Sequence, residues 1–228
     1  MTNTLILWDI DLTLVNTVGM GAELYAIAFK AVTGREMGAV ADMAGRTEKA
    51  ILTETLALNG IETGDFAVFY TALEAAARTL EPRMRASGHA LPGAAAAIAG
   101  LAGDGVLQSV VTGNLRSIAE MKLAAFGLHH AIDFTVGAYG DDDHDRAVLV
   151  ALARERAQAR HGLAIDPARV VVIGDTPHDV KGALDRGAIA VGVATGRSSA
   201  ERLAAAGAHV VVPDLSGVVA AIRARLDA

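Results

Sequence analysis

The chain has 228 residues, of which 52% are hydrophobic and 20% charged, with a formal net charge of −6 and no cysteine. A chain this apolar with so little net charge can fold, so the composition excludes an intrinsically disordered protein. The lack of cysteine excludes disulfide scaffolds and thiolate metal sites. The acidic balance and the absence of a basic cluster argue against a nucleic-acid partner.

A membrane-spanning segment is not expected either, although the mean hydropathy is +0.37. Alanine supplies 47 of the residues, so much of the apolar fraction consists of small side chains. The apolar runs fall well short of the roughly 20 residues that a spanning helix needs. The first apolar run also lacks the flanks of a signal peptide, which favours a cytoplasmic protein.

Short apolar runs alternate with helix-like segments along most of the chain. Runs of this kind suit strands that are buried on both faces, and their alternation with helices indicates right-handed βαβ units. The pattern therefore predicts an α/β fold with a doubly wound parallel sheet. The predicted strands are Thr4–Trp8, Leu107–Thr112, Phe134–Gly137, Arg169–Ile173, Ile189–Val193 and His209–Val212.

A helical span interrupts this alternation between the first and second predicted strands. Its predicted helices lie near residues 21–33, 47–58 and 66–85, and each is followed by a glycine of the kind that ends helices. Pro92-Gly93 marks the return to the sheet. We therefore expect a core domain of residues 1–15 and 90–228, with residues 16–89 inserted as a separate helical domain.

Two carboxylates and a hydroxyl follow the first predicted strand, in the run Trp8-Asp9-Ile10-Asp11-Leu12-Thr13. Ligands of open parallel sheets bind outside the carboxyl ends of the strands, so Asp9 and Asp11 lie at the edge where chemistry is expected. Their spacing turns both carboxylates to one side, where a cation or a shared proton would offset the repulsion. A surface turn capped by Asp is the alternative interpretation.

A second acidic pair follows a later strand, in the run Gly174-Asp175-Thr176-Pro177-His178-Asp179. Pro177 suits the first turn of a helix, which would let Asp175 and Asp179 face the same point. Hard oxygen ligands of this kind suit Mg²⁺. The alternative is purely structural, with Asp175 as a helix N-cap and Asp179 as a favourable charge in the first turn.

Between these two groups, the second predicted strand ends in Thr112-Gly113-Asn114. A hydroxyl and exposed backbone amides at a strand-to-helix junction can bind phosphate. The same three residues also make an ordinary turn.

The three groups, in this order and at strand ends, resemble the motifs of the haloacid dehalogenase superfamily. The helical insertion after the first strand resembles the cap domain of the phosphoglycolate phosphatase-like branch, and the resemblance covers nearly the whole chain. It implies a Rossmann-like core with an inserted all-helical cap. It further implies a Mg²⁺-dependent phosphatase that hydrolyses a small phosphorylated metabolite through an aspartyl-phosphate intermediate.

The resemblance also implies a role for each motif residue. Asp9 would be the nucleophile, and Asp11 would act as general acid and base. The metal would be held by the Asp9 carboxylate, the Asp11 carbonyl and Asp175, with Asp179 in direct or indirect support. The phosphoryl oxygens would be held by Thr112, Gly113 and Asn114.

The chain departs from the family pattern at two points. Family members often carry Gly after the second Asp, where this chain has Leu12. The family Lys that precedes the last acidic motif is missing, and Arg146 is the best replacement because its guanidinium is always charged and binds carboxylate or phosphate with two donors. Lys122 is the alternative for that role, and a solvated helix-end charge is the structural interpretation of Arg146.

Two further groups of residues are candidates for binding. Arg46 and Thr47, in the insertion, would contact the rest of the substrate, for instance a second anion; alternatively Thr47 is an N-cap and Arg46 is solvated. The run Asp141-Asp142-Asp143-His144 suggests a second metal site but fits an exposed loop better.

Four alternatives to the phosphatase differ in the residues that they require. A phosphomutase stays open because it shares the same motifs, whereas a dehalogenase is disfavoured because halide displacement needs no acid at Asp11. A signalling receiver domain phosphorylated on aspartate would carry Asp at the end of its middle strand, where this chain has Thr112. A dinucleotide-binding enzyme fits poorly, because Gly19-Met20-Gly21 lacks the third small residue of that fingerprint.

Overall fold

The computed structural model describes residues 3–62 and 64–227, and its elements follow the predicted alternation. Along the chain they are β1 (Thr4–Trp8), β2 (Val15–Asn16), α1 (Met20–Thr33), α2 (Glu48–Leu58), α3 (Phe66–Ser87), β3 (His89–Ala90), α4 (Ala94–Leu101), β4 (Val106–Val110), α5 (Arg116–Ala125), α6 (Arg146–His161), β5 (Val170–Gly174), α7 (Pro177–Leu184), β6 (Ile189–Val193), α8 (Ala200–Ala205), β7 (Val210–Val212) and α9 (Val218–Leu226).

Five parallel strands form the central sheet in the order β4-β1-β5-β6-β7. All five residues of β1 are buried. Alternate residues of β1 face opposite layers: Ile6 and Trp8 pack with α4, α5 and α9, while Leu5 and Leu7 pack with α6, α7 and α8. Burial on both faces explains the near-continuous apolar runs, and the predicted doubly wound α/β fold is confirmed.

One predicted strand is wrong. Residues 134–137 form a turn, and this segment meets the sheet through an isolated bridge between Ala138 and Val111 and a hydrogen bond from the Asp133 backbone N–H to the Gln108 carbonyl at 2.8 Å. The reason is local: the Asp133 carboxylate accepts hydrogen bonds from the backbone N–H of Thr135 at 2.9 Å and from its hydroxyl at 2.5 Å. A side chain that binds the backbone two residues ahead favours a turn over a strand.

The predicted helices of the insertion are present as α1, α2 and α3. Side chains from all three, including Phe29, Leu52 and Phe69, form a core of their own, which Leu115 and Ile118 beside and within α5 complete. Gly34 ends α1 in a left-handed conformation, at φ 69°. Asn59 follows α2, and Gly88 follows α3.

Where the chain leaves the sheet and returns to it, β2 and β3 pair in antiparallel fashion, with Val15 opposite Ala90. This short pair was not predicted. The domain division at residues 15 and 90 stays a prediction. Among the residues that the structure describes, no helix has both the length and the apolar character that crossing a membrane requires.

Candidate functional site

Three buried carboxylates meet at the carboxyl edge of the sheet. Asp9 follows β1, Asp175 follows β5, and Asp179 lies in the first turn of α7. The two strands are neighbours, with Trp8 opposite Ile173, so the residues that follow them emerge side by side. One oxygen from each carboxylate lies within 4.8 Å of the others. The structure thus brings together three of the side chains that the sequence assigns to a metal site.

The start of α7 shows how the sequence positions Asp179. Thr176 is the N-cap and Pro177 is the first helical residue. The Asp179 Oδ2 atom accepts hydrogen bonds from the Thr176 backbone N–H at 3.0 Å and from the Thr176 hydroxyl at 2.7 Å. This capping box uses Oδ2 and leaves Oδ1 directed into the acidic cluster. The N-cap is therefore Thr176, where the structural interpretation of the sequence had Asp175.

Arg146 lies among these carboxylates. It is the first residue of α6 and is only 6% exposed. Its Nη2 atom donates to Asp9 Oδ1 at 2.6 Å and to the Val111 carbonyl at 3.2 Å. Its Nε atom lies 2.5 Å from Asp179 Oδ1, an ion pair without hydrogen-bond geometry. The guanidinium therefore bridges two of the three carboxylates.

Burial controls the protonation of this cluster. Burial raises the pKa of Asp9 to about 7, although the Arg146 charge opposes the shift. Burial, and then the negative charges of Asp179 and Asp9, raise the pKa of Asp175 to about 8. Three carboxylates against one guanidinium leave a formal charge of −2 when all are ionised. Such a cluster either holds protons or binds a cation.

The donor set fits a hard divalent cation. All three residues offer carboxylate oxygens, the ligand type that Mg²⁺ and Ca²⁺ prefer. Within the described residues, the buried Oδ1 of Asp179 has no hydrogen-bond partner. This oxygen faces Arg146 Nε at 2.5 Å, but a carboxylate oxygen has more than one acceptor site, so a metal ion could bind it beside that ion pair.

Asp11 points to a different set of partners. The Lys122 Nζ atom contacts Asp11 Oδ1 at 2.7 Å and Oδ2 at 2.6 Å, and Asn114 Nδ2 donates to Oδ2 at 2.8 Å. Desolvation alone would raise the pKa of Asp11, but Lys122, Asn114 and Thr17 together lower it below its ordinary value. Lys122 thus binds Asp11, while Arg146 binds Asp9 and Asp179.

The run Thr112-Gly113-Asn114 follows β4 and contacts the helical insertion. Asn114 Nδ2 donates to the Thr112 hydroxyl oxygen at 2.8 Å. The Gly113 carbonyl accepts the Glu48 backbone N–H at 2.9 Å, and a Cβ atom added to Gly113 would lie 2.1 Å from the Arg46 carbonyl oxygen. The residues proposed for phosphate binding are therefore in direct contact with the N-terminus of α2.

Arg46 and Thr47 lie on the insertion side of this contact. Arg46 pairs with Glu54 at 2.6 Å and donates to the Asp42 and Ala50 carbonyls. Thr47 is the N-cap of α2, and its hydroxyl donates to the His144 carbonyl at 3.2 Å. A cavity of about 370 Å³ adjoins both residues and Arg146. Their contact with a substrate stays a prediction.

The run at residues 141–144 has structural contacts. The Asp142 carboxylate pairs with Arg156 at 2.7 Å and accepts the Tyr139 backbone N–H at 2.9 Å. Asp143 accepts the Asp145 backbone N–H at 2.9 Å. In residues 3–62 and 64–227, the one cluster with the geometry of a metal site is that of Asp9, Asp175 and Asp179.

Several residues that shape the site, apart from Leu12, were not predicted from the sequence. Gly196 follows β6, and a Cβ atom added to it would lie 1.7 Å from Asp175 Oδ2. Leu12 has a left-handed backbone at φ 58°, and its carbonyl accepts the Thr195 hydroxyl at 2.6 Å. In the insertion, the Tyr25 hydroxyl donates to the buried Glu48 carboxylate, and burial raises the pKa of Glu48 to about 7. The end of β6 was a detectable signal, because residues after parallel strands line ligand sites.

Known proteins share both the sequence family and this fold. Residues 6–184 match the family model of haloacid dehalogenase-like hydrolases. Over 145 residues the chain is 32% identical to the probable phosphatase IndB of Dickeya dadantii (strain 3937), an alignment that covers 62% of this chain and 60% of that relative. The chain thus spans about 60% of the length of this curated relative.

Two solved structures show the same fold at low sequence identity. A hydrolase from Pseudomonas syringae has a TM-score of 0.69 at 20% identity, with 97% of this chain and 99% of that chain covered. A predicted phosphoglycolate phosphatase from Haemophilus somnus 129PT has a TM-score of 0.67 at 17% identity, with 97% and 99% covered.

The fold and the site together define a doubly wound α/β protein with an acidic centre at its strand ends. Because the family model spans well over half of the chain, the protein belongs to the haloacid dehalogenase-like hydrolase family. The family predicted from the three motifs is therefore confirmed.

Proposed function

We propose that this protein is a Mg²⁺-dependent phosphatase that hydrolyses a small-molecule phosphate monoester through an aspartyl phosphate on Asp9. The observation that carries the proposal is the buried cluster of Asp9, Asp175 and Asp179, bridged by Arg146, in a chain of this family. The probable phosphatase that resembles the chain supports the same reaction class.

The metal would be held by carboxylate oxygens of Asp9, Asp175 and Asp179 and by the Asp11 carbonyl. When bound, Mg²⁺ offsets the repulsion between these carboxylates and a phosphate and withdraws charge from the phosphoryl oxygens. The three converging carboxylates and the raised pKa values of Asp9 and Asp175 support a cation at this position.

Within the chain, Asp9 would attack phosphorus and displace the substrate alcohol. Arg146 holds Asp9 Oδ1 at 2.6 Å, which orients the carboxylate for an in-line approach. Asp11 would protonate the departing oxygen and later take a proton from the water that hydrolyses the aspartyl phosphate. Thr112, Gly113 and Asn114 would bind the phosphoryl oxygens.

The helical insertion, residues 16–89, would act as a cap that covers the bound phosphate and selects the substrate. The contacts that support this role are backbone hydrogen bonds from the start of α2 to the core. Glu48 N–H donates to Gly113 at 2.9 Å, and Lys49 N–H donates to Gly140 at 2.8 Å. Arg46 and Thr47 adjoin this junction and would contact the rest of the substrate.

The test is phosphate release from a panel of phosphate monoesters, measured in Mg²⁺ buffer and again after chelation. Asp9→Asn should abolish release, because an amide is a poor nucleophile and a weak metal ligand. Asp104→Asn is the matched control, since Asp104 is exposed and lies in the loop before β4. Undiminished release by Asp9→Asn would refute the mechanism. If the substrate is isomerised and keeps its phosphate, the protein is a phosphomutase instead.

A further inference from the structure

Lys122 makes a set of contacts that the family resemblance does not assign. Its ammonium contacts both carboxylate oxygens of Asp11, at 2.7 and 2.6 Å, and the side-chain oxygen of Asn114 at 2.7 Å. Asn114 in turn donates to Asp11 Oδ2 at 2.8 Å. The three side chains therefore form a closed ring of hydrogen bonds.

The ring differs from an ordinary surface ion pair. An ammonium has three N–H donors, which matches the three acceptors that surround Lys122. The Lys122 side chain is 13% exposed, whereas the side chains of the Lys181–Asp185 pair on the surface of α7 are 71% and 42% exposed. A donor that grips both oxygens of a carboxylate fixes the plane of that group as well as its position.

The ring also leaves Asp11 accessible. The Asp11 side chain remains 42% exposed although Lys122 beside it is largely covered. Lys122 reaches Asp11 because α5 follows β4, and β4 is the immediate neighbour of β1. Arg146 approaches from α6, which packs on the opposite face of the sheet. The two cations therefore serve different carboxylates.

We propose that Lys122 is a positioning residue that, together with Asn114, orients the Asp11 carboxyl group for proton transfer to the leaving oxygen of the substrate. This inference rests on the proposed phosphatase function and deepens it. Lys122 itself touches neither the nucleophile Asp9 nor the acidic metal cluster in the contacts that the structure describes.

The step that Lys122 would assist can be written in full. A carboxylate oxygen of Asp9 forms a bond to phosphorus while the ester P–O bond breaks, and its electron pair leaves on the ester oxygen. The proton of the Asp11 carboxylic acid passes to that oxygen, which gives the alcohol and the Asp11 carboxylate, the ionised form that Lys122 and Asn114 hold in the ring. Water then attacks phosphorus and gives a proton to Asp11, which releases Asp9 and phosphate. Lys122 keeps its protons throughout.

The test uses esters whose leaving groups differ in how much they need protonation. We would measure kcat/KM for phenyl, p-nitrophenyl and 2,4-dinitrophenyl phosphate with wild type, Lys122→Met and Asp11→Asn. Since general acid catalysis contributes roughly 100-fold or more, Lys122→Met should lower kcat/KM for phenyl phosphate by at least about tenfold. The 2,4-dinitrophenyl ester should change less than about twofold, because its leaving group departs without a proton.

Two further variants separate positioning from a general loss of structure. Lys122→Arg should restore most of the phenyl phosphate activity, because a guanidinium can also grip both carboxylate oxygens. The double variant Lys122→Met with Asp11→Asn should be no slower on phenyl phosphate than Asp11→Asn alone, since residues that act as a unit are not additive. Lys30→Met is the matched control, because Lys30 forms an exposed ion pair with Glu36 on the insertion.

An equal loss on all three esters, or additive losses in the double variant, would overturn the role of Lys122. An unchanged or faster reaction of Lys122→Met with phenyl phosphate would overturn it as well and would mean that the ring holds Asp11 away from the substrate. If wild type hydrolyses none of the esters, or if Asp9→Asn retains full activity, the proposed function itself fails. If wild type hydrolyses the esters and Asp9→Asn does not, the proposed function stands, and a failed prediction for Lys122 concerns the role of Lys122 alone.

Discussion

Replacing Asp175 by Asn is expected to stabilise the metal-free protein at neutral and alkaline pH. Asp175 is 4% exposed and lies beside Asp9 and Asp179. Its side chain accepts a hydrogen bond from the Thr13 hydroxyl at 3.3 Å. Asn keeps this acceptor but carries no charge, so the substitution removes repulsion without creating a cavity. Metal ligands of this kind often reduce the stability of the empty site.

The size of the effect follows from the pKa of Asp175. Burial raises that pKa from 3.8 in the unfolded chain to about 8 in the folded protein, so the folded state binds more protons between these values. Stability therefore falls as the pH rises through this range, by at most about 1.4 kcal/mol per pH unit. Arg146 and structural relaxation make the real change smaller than this maximum. We therefore expect the free energy of unfolding of Asp175→Asn, relative to wild type, to rise by about 2 kcal/mol between about pH 5 and pH 8.

The measurement is urea unfolding followed by circular dichroism at both pH values, with chelator present. The variant should approach wild-type stability at the lower pH and exceed it at the higher pH, while Asp104→Asn follows wild type at both. Adding Mg²⁺ should stabilise wild type and affect the variant much less, because a ligand that binds only the folded state raises its stability. A variant that is less stable than wild type at pH 8 without metal would contradict this account of the cluster.

Three more predictions concern single positions. Gly196→Ala should impair Mg²⁺ binding, measured by calorimetry, because the added Cβ atom would lie 1.7 Å from an Asp175 oxygen. The control Gly103→Ala should bind Mg²⁺ like wild type, because its added Cβ atom meets nothing within 4 Å. Leu12→Val should unfold at lower urea concentration than Leu12→Gly, since the φ of 58° costs a branched side chain about 1–2 kcal/mol; equal midpoints would contradict the strain. Arg146→Ala should lose about 3 kcal/mol or more of unfolding free energy because it leaves buried carboxylates without their cation, and Arg146→Lys should recover part of it in the same assay.

The family and the fold class could be predicted because they depend on patterns that are local in sequence. Buried parallel strands require continuous apolar runs, and such runs stand out wherever turns bound them. Asp9 and Asp175 could be placed at one edge because ligands of parallel sheets lie at the strand ends. The run at residues 134–137 shows the limit, since the Asp133 side chain turns the backbone there.

The partners of each charge could not be predicted in the same way. The sequence favours Arg146 over Lys122 for the role of the family Lys, but it does not show which carboxylate each cation meets. The structure separates them by helix: α6 brings Arg146 to Asp9 and Asp179, and α5 brings Lys122 to Asp11. Gly196 likewise contacts Asp175 only because β6 lies beside β5.

By itself, the sequence determined the alternation of strands and helices, the family and the acidic residues at the strand ends. Periodicity and turn chemistry act over a few residues, so these features are encoded where they occur. Tertiary structure alone decided which cation faces which carboxylate and how protons are held in the acidic cluster. Those properties depend on burial and on distances between residues far apart in the chain, such as Asp9 and Arg146, and they exist only once the strands lie side by side.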